Sequence, residues 1–140
     1  MQFTPTEPPR VFEVGRGTSI KIADCGRMVL QPDEQITFLT ASGAEYDVAR
    51  KSWGFYATPS LNGRLQTFRL RGVLVKSPAS KYYVLLVEQG KEADLQRYLD
   101  VEAHTIVCWL DSDEALERLE RGVASQLSRR RGGGASIPSR

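Results

Sequence analysis

The residues of this chain best suited to binding chemistry lie close together, between Trp53 and Arg64. Aromatic side chains and an arginine stand there among turn-forming glycine, proline and asparagine residues. An aromatic ring can stack on the apolar face of a sugar or base, and arginine can donate paired hydrogen bonds to hydroxyl or phosphate groups. We therefore predict a ligand- or partner-binding surface in region 53–71, with the candidate residues Phe55, Tyr56, Thr58, Ser60, Asn62, Arg64 and Arg69.

The same stretch has a second interpretation, an ordinary β-hairpin whose aromatic rings belong to the core. Asn62-Gly63 is the strongest short sequence signal for a type I′ turn. Pro59 fits a hairpin poorly, because proline cannot pair inside a central strand. The two interpretations differ in the solvent exposure of Phe55, Tyr56 and Arg64, which a core hairpin would bury and a binding surface would expose.

Arginine also recurs just after this stretch. If Arg69 and Arg71 alternate with Phe68 and Leu70 along a strand, the two arginines share one face of the sheet. That face is either solvated or a patch that recognises anions. The sequence leaves both interpretations open.

The other reactive side chains form no complete catalytic or metal-binding motif. His104 is the single histidine, and Cys25 and Cys108 lie far apart, whereas a zinc site needs three or four such ligands to converge. Nucleophilic catalysis would need Cys25 and His104 to meet, and nothing in the sequence brings them together. We predict no catalytic residue, no metal and no cofactor. The alternative is a small enzyme acting on a sugar-type substrate, with Cys25 or Asp47 as its working group.

The charge of the chain is concentrated at its C-terminal end. The formal net charge is +2, yet residues 125–140 contain four arginines and no acidic residue, so the remainder carries a net charge of −2. Specific nucleic-acid binding by the folded part is therefore not expected, because it needs clustered basic residues. Met1 to Arg10 shows no signal-peptide pattern, and no apolar run approaches the roughly 20 residues of a membrane helix. We predict a cytoplasmic protein without a transmembrane segment.

Two patterns predict an α+β, β-rich fold. Between Val11 and Arg50, short alternating segments recur about every nine residues, as in an antiparallel meander that forms a small sandwich or barrel. Lys81 to Val87 and Thr105 to Leu110 then flank an amphipathic helix, and this strand–helix–strand unit has parallel strands if both join one sheet.

A C-terminal helix follows that unit. Asp111 and Glu114 have the spacing of a capping box at its start. The predicted organisation is an extended arm over residues 1–10, one globular domain over 11–124 and a disordered basic tail over 125–140. An exposed strand edge would be compatible with a homodimer, although no residue pattern requires one.

Several segments resemble a group of small, uncharacterised bacterial proteins encoded among cell-surface polysaccharide biosynthesis genes. The resemblance covers about residues 11–115 and is carried by Glu34 to Val48, Trp53 to Leu65, Val87 to Glu92 and Cys108 to Asp111. It implies a cytoplasmic role near nucleotide-sugar or glycan assembly, with a sugar nucleotide or a glycan-pathway protein as partner. It brings no established catalytic residue. We therefore predict a non-catalytic binding or accessory domain.

Overall fold

The fold is given by a computed structural model that describes residues 1–17, 19–57 and 59–132. Within these ranges the α+β, β-rich class is confirmed, and three antiparallel sheets form without closing into a barrel. The strands are β1 (Gln2–Val14), β2 (Ile20–Val29), β3 (Gln35–Leu39), β4 (Glu45–Lys51), β5 (Gly54–Tyr56), β6 (Leu70–Lys76), β7 (Tyr82–Glu88) and β8 (Thr105–Trp109). The helices are α1 (Arg64–Thr67), α2 (Glu92–Glu102) and α3 (Asp113–Gly132).

The first sheet is a hairpin of β1 and β2 alone. Residues 1–10, predicted to be an extended arm, form the first part of β1. The pairing runs from Gln2 opposite Val29 and is interrupted between Pro5 and Arg10. Pro8 and Pro9 lie in this interruption, as expected for residues that have no N–H to donate to a neighbouring strand.

The second sheet has the order β3–β4–β5 and carries the predicted binding stretch. Ser52 and Trp53 form the tight turn that returns the chain from β4 to β5, so that Tyr56 lies opposite Ala49. Gly54 follows this turn with φ +149°, a conformation that residues with a Cβ rarely adopt. The hairpin therefore closes at residues 52–53.

The third sheet has the order β7–β6–β8, with β6 antiparallel to both neighbours. β7 and β8 consequently run parallel to each other on either side of β6. The predicted strand–helix–strand unit is thus confirmed, with a strand inserted between its two parallel members.

The core lies on both faces of β6. On one face, Val73 and Val75 pack with Leu99 of α2, and on the other, Leu70 packs with Leu65 of α1. Full burial of such a side chain contributes about 1.5–3 kcal/mol. Gly72 allows the α1 side to approach closely, because a Cβ there would come within 3.1 Å of the Leu61 side chain. The residues that follow the binding stretch are thereby fixed against the central strand.

The start and the extent of α3 both differ from the sequence prediction. The capping-box assignment of Asp111 is wrong, since the Oγ of Ser112 accepts the hydrogen bond from the Ala115 N–H at 3.1 Å. The helix extends to Gly132, so residues 125–132 are helical where disorder was predicted, and residues 133–140 lie outside the described ranges. The arginines at its C-terminal end favour helix continuation through their interaction with the helix dipole.

No residue of α3 is buried, and none of the described helices is long and apolar enough to cross a membrane. Leu119, Val123 and Leu127 form an exposed apolar stripe along α3. The stability of this helix must therefore come mainly from its caps and its local side-chain pairs.

Removal of the Ser112 cap gives the first testable prediction. Ser112→Ala should weaken the first turn of α3 by about 0.5–2 kcal/mol, because an N–H of that turn loses its acceptor. Amide hydrogen exchange of residues 113–118 should accelerate about fivefold if the loss is near 1 kcal/mol. Ser125→Ala is the matched control, since the Ser125 hydroxyl bonds the Gly122 carbonyl within the helix. Equal acceleration in both variants would contradict the capping role.

Candidate binding site

The rings of the predicted binding stretch lie at the surface. Phe55 is 57% exposed and Tyr56 is 55% exposed, while the Arg64 side chain is 56% exposed. Trp53, in the turn, is also exposed. The interpretation in which these side chains form a hairpin core is therefore excluded.

A depression of about 280 Å³ opens beside Tyr56. It lies over one face of the β3–β4–β5 sheet, because Gln35 pairs with Ala49 and Ala49 pairs with Tyr56 in register. The segment that leads into α1 closes the other side of the depression. Its lining residues are Gln35, Asp47, Ala49, Tyr56, Pro59, Ser60 and Arg64.

An ion pair between Arg64 and Asp47 joins the two sides of this depression. Arg64 Nη2 lies 2.8 Å from Asp47 Oδ2, and the Thr37 hydroxyl donates to Asp47 Oδ1 at 2.7 Å. The Asp47 side chain is only 12% exposed, so these two bonds hold a largely buried carboxylate. Arg64 has five N–H donors in total, and donors beyond the one that Asp47 accepts can serve a ligand.

The prediction of a hairpin turn at Asn62-Gly63 is wrong. Gly63 has φ −146°, whereas a type I′ turn requires positive φ at both central residues. The chain instead enters α1, where Ser60 Oγ accepts from the Arg64 N–H at 2.8 Å and the Ser60 carbonyl accepts from the Leu65 N–H at 3.1 Å. Ser60 thus orients the backbone that carries Arg64.

Three other predicted site residues lie apart from the depression. Asn62 Nδ2 donates to Asp113 Oδ1 at 2.7 Å and ties the loop to the start of α3. Arg69 adopts φ +65° before β6, and its Nη1 donates to the Ser42 carbonyl at 3.3 Å. Phe55 precedes Tyr56 in β5, so its side chain points to the opposite face of the sheet, where the Arg50 guanidinium lies 5.5 Å from its ring centroid. Thr58 lies outside the described residues.

Arg71 belongs to a structural network rather than to an open anion-binding face. Its Nε lies 2.6 Å from Asp111 Oδ2, and its Nη1 lies 3.3 Å from Glu92 Oε1. Its guanidinium also lies 3.9 Å from the ring centroid of Trp109. The hydrogen bond that Arg71 donates to Asp111 raises the pKa of Arg71. The pKa of Glu92 is lowered by hydrogen bonds from its own backbone N–H and from Arg71.

Glu88, the last residue of β7, is likewise engaged in structural contacts. The Ser42 hydroxyl donates to its carboxylate, and Lys91 lies 3.2 Å away. These contacts lower the pKa of Glu88, and the hydrogen bond from Ser42 has the largest effect. Its role is to join the β3–β4 turn to the end of β7, away from the depression.

No protein-family model, curated protein or solved structure matches the chain. The resemblance to polysaccharide-locus proteins therefore stays a prediction, and the candidate site rests on its own geometry.

The residues named for an enzymatic alternative do not meet. Cys25 lies exposed in β2, and its thiol hydrogen-bonds the Ala23 carbonyl at 3.4 Å. His104 stacks on Tyr83 at a centroid distance of 6.0 Å, beside the third sheet. Asp47 already has both carboxylate oxygens in hydrogen bonds. Within the described ranges, no three histidine, cysteine or acidic side chains gather as a metal site would require.

The structure therefore unites Tyr56, Ser60 and Arg64 and adds Gln35 and Asp47 to them. The sequence contains one signal for Gln35 and Asp47. They lie on neighbouring strands of the predicted meander, at positions whose side chains point to the same face of the sheet. Only the register of β3 against β4 identifies that face as the one beneath Tyr56.

Proposed function

We propose that this chain is a non-catalytic binding module that recognises a sugar-type ligand, free or as part of a nucleotide sugar, in the depression beside Tyr56. The observation that carries this proposal is the exposed Tyr56 ring next to the Arg64–Asp47 ion pair in one depression of about 280 Å³. Small-molecule sites commonly measure roughly 300–1,000 Å³, and this volume, just below that range, suits a ligand of about one sugar unit.

The types of side chain in the depression match the chemistry of a sugar. A sugar ring has an apolar C–H face that can stack on an aromatic ring, and hydroxyl groups that both donate and accept. Arg64 supplies donors, whereas Gln35 and Ser60 each supply a donor and an acceptor. A phosphate attached to the sugar would find its counter-charge in Arg64.

The electrostatics of the depression support binding without hydrolysis. Glycoside hydrolysis uses two carboxyl groups about 5–9.5 Å apart, one to protonate the leaving group and one to attack or to activate water. Asp47 is the single acidic side chain in the lining, and it is held by Arg64 and Thr37. A carboxylate held in this way is suited to fixing the arginine that faces the ligand.

The resemblance to polysaccharide-locus proteins supports a more specific proposal for the biological setting. In that setting the module works in the cytoplasm as an accessory domain of nucleotide-sugar or glycan assembly, with a pathway enzyme as partner. The proposed biological setting does not depend on the proposed ligand chemistry, so either one can be wrong while the other holds.

Titration with free hexoses and nucleotide sugars tests the ligand chemistry. We expect a member of the panel to shift the NMR signals of Tyr56, Ser60 and Arg64. Tyr56→Ala should then weaken its binding about tenfold, which corresponds to the loss of about 1.4 kcal/mol of stacking. Phe55→Ala is the matched control, because this exposed neighbour points to the opposite face of the sheet and its loss should leave the affinity unchanged.

Two outcomes would count against the proposal. Unmoved signals throughout the panel would remove a sugar-type ligand. Equal weakening by Phe55→Ala and Tyr56→Ala would mean that the ligand does not occupy the face on which Asp47 and Arg64 lie.

A further inference from the structure

A second and larger cavity, of about 570 Å³, lies between the third sheet, the end of α2 and the turn that joins β1 to β2. It shares no lining residue with the depression beside Tyr56. Val75 and Leu85 contribute apolar surface to it, and polar or aromatic groups come from Tyr83, Tyr98, Glu102 and His104. A cavity with mostly apolar walls and a few converging polar groups is the common form of a small-molecule site.

The carboxylate of Glu102 is the dominant charge of this cavity. Glu102 is only 4% exposed, and the Arg16 N–H donates to its two oxygens at 3.1 and 3.0 Å. Among the described residues, no basic side chain lies within ion-pairing distance of it. A buried carboxylate is costly unless it is paired, and a single N–H shared by two oxygens compensates it incompletely. The cavity therefore favours a positive charge.

Three rings are placed where they can surround such a charge. The rings of Tyr83 and His104 are stacked, with centroids 6.0 Å apart, and Tyr98 presents a near-perpendicular ring 6.2 Å from His104. Aromatic faces attract organic cations through the ring quadrupole. His104 Nδ1 itself is buried and has no hydrogen-bond partner among the described residues.

The turn Gly15-Arg16-Gly17 is shaped to complete the cavity. A Cβ on Gly17 would lie 2.7 Å from Val101 Cγ1 and 3.1 Å from the Val101 carbonyl oxygen. Glycine at this position therefore allows the turn to approach α2 closely enough for the Arg16 N–H to reach Glu102. The local sequence indicates only a turn. Its contact with α2 places this turn at one side of the cavity.

We propose that this cavity binds a small ligand with an ammonium group, held against Glu102 and enclosed by Tyr83, Tyr98 and His104. Arg16 and Lys81 also line the cavity, but both are exposed, and solvent screens their charges far more than that of buried Glu102. Lys81 can additionally attract an acidic group on the same ligand. The proposal does not depend on the sugar site.

Four probes on the full chain test the charge requirement directly. Choline carries the cation alone, 3,3-dimethylbutan-1-ol is its neutral isostere, glycine betaine adds a carboxylate to the cation, and acetate carries the anion alone. Calorimetry should show choline binding at least about tenfold more tightly than its isostere, with NMR shifts at Tyr83, Tyr98 and His104. Tighter binding of betaine than of choline would show that a basic residue of the lining, Lys81 or Arg16, attracts the acidic group.

Substitution of Glu102 provides the second arm of the test. Glu102→Gln keeps an oxygen that can accept from the Arg16 N–H but removes the charge, so choline affinity should fall about tenfold or more. Asp100→Asn is the matched control, because it removes one negative charge from an exposed position of the same helix.

Several results would overturn the proposal. They are equal binding of choline and its isostere, tighter binding of acetate than of choline, absence of binding by both cationic probes, and an unchanged choline affinity in folded Glu102→Gln. If Glu102→Gln fails to fold, the comparison of choline with its isostere on the wild-type chain decides alone.

Discussion

Replacement of Arg71 by methionine should lower the free energy of unfolding by about 3–5 kcal/mol, because it leaves a buried carboxylate without its partner. Asp111 is 7% exposed, and Arg71 is the basic residue that contacts it. Methionine keeps an unbranched stem beside Trp109, so the loss reports mainly on the charged contacts of the Arg71 guanidinium. Chemical denaturation monitored by tryptophan fluorescence and by circular dichroism measures it.

A double-mutant cycle separates the pair from the contacts around it. Asp111→Asn in the Arg71→Met background should recover a large part of the lost stability, because the only charge then left without Arg71 is that of the partly exposed Glu92. Arg69→Met is the matched control, since that arginine is exposed and makes one long hydrogen bond. A loss below about 1 kcal/mol for Arg71→Met would show that Asp111 finds water or another partner.

Leu65→Ala should lower the free energy of unfolding by about 2–5 kcal/mol, the cost of deleting a fully buried leucine side chain. Leu65 is 0% exposed and packs with Ala44 and Leu70. Its neighbour Arg64 forms the ion pair of the candidate site, so a collapse of α1 would also displace that arginine. Urea denaturation gives the stability loss, and sugar titration of the folded variant gives the effect on the site.

Leu39→Ala serves as the control for this substitution. Leu39 is 69% exposed at the end of β3, so the same chemical change should cost within about 0.5 kcal/mol. Similar losses at the two positions would contradict the burial of Leu65 between α1 and the core. A stability loss without any change in ligand affinity would show that Arg64 keeps its position independently of Leu65.

The elements that the sequence predicts well are those with a sustained local pattern. The helix over Lys91 to Glu102 repeats its apolar residues at helical spacing, and the following strand is a continuous apolar run. Burial on β6 then reinforces both patterns, since Leu99 of α2 packs on Val73 and Val75. Local propensity and tertiary packing agree in this half of the chain.

Errors occur where a distant partner or a very short element decides the structure. α1 spans four residues, too few to show a periodicity, and the turn propensity of Asn62-Gly63 is overridden by the Ser60 hydrogen bonds and the burial of Leu65. Asp111 has the spacing of a helix cap, but Arg71, forty positions earlier, takes its carboxylate. Ser112 then becomes the cap.

The candidate sites divide in the same way. Composition alone points to Tyr56, Ser60 and Arg64, and strand alternation is enough to separate Phe55 from Tyr56. Asp47 joins them only through strand pairing. Glu102 and Arg16 are 86 positions apart, and no local sequence pattern predicts their contact. A pocket formed between elements distant in sequence is therefore much harder to foresee than one formed within residues 35–64.

The isolation of β1 and β2 in a sheet of their own has a thermodynamic consequence. A lone two-stranded hairpin is marginally stable, so this unit is expected to open locally at a lower free energy than the core strand β6. Its turn supplies one wall of the larger cavity through Arg16. Any molecule that fills the cavity must therefore favour the docked hairpin, and occupancy of the cavity becomes coupled to the order of a segment that extends to Gln2.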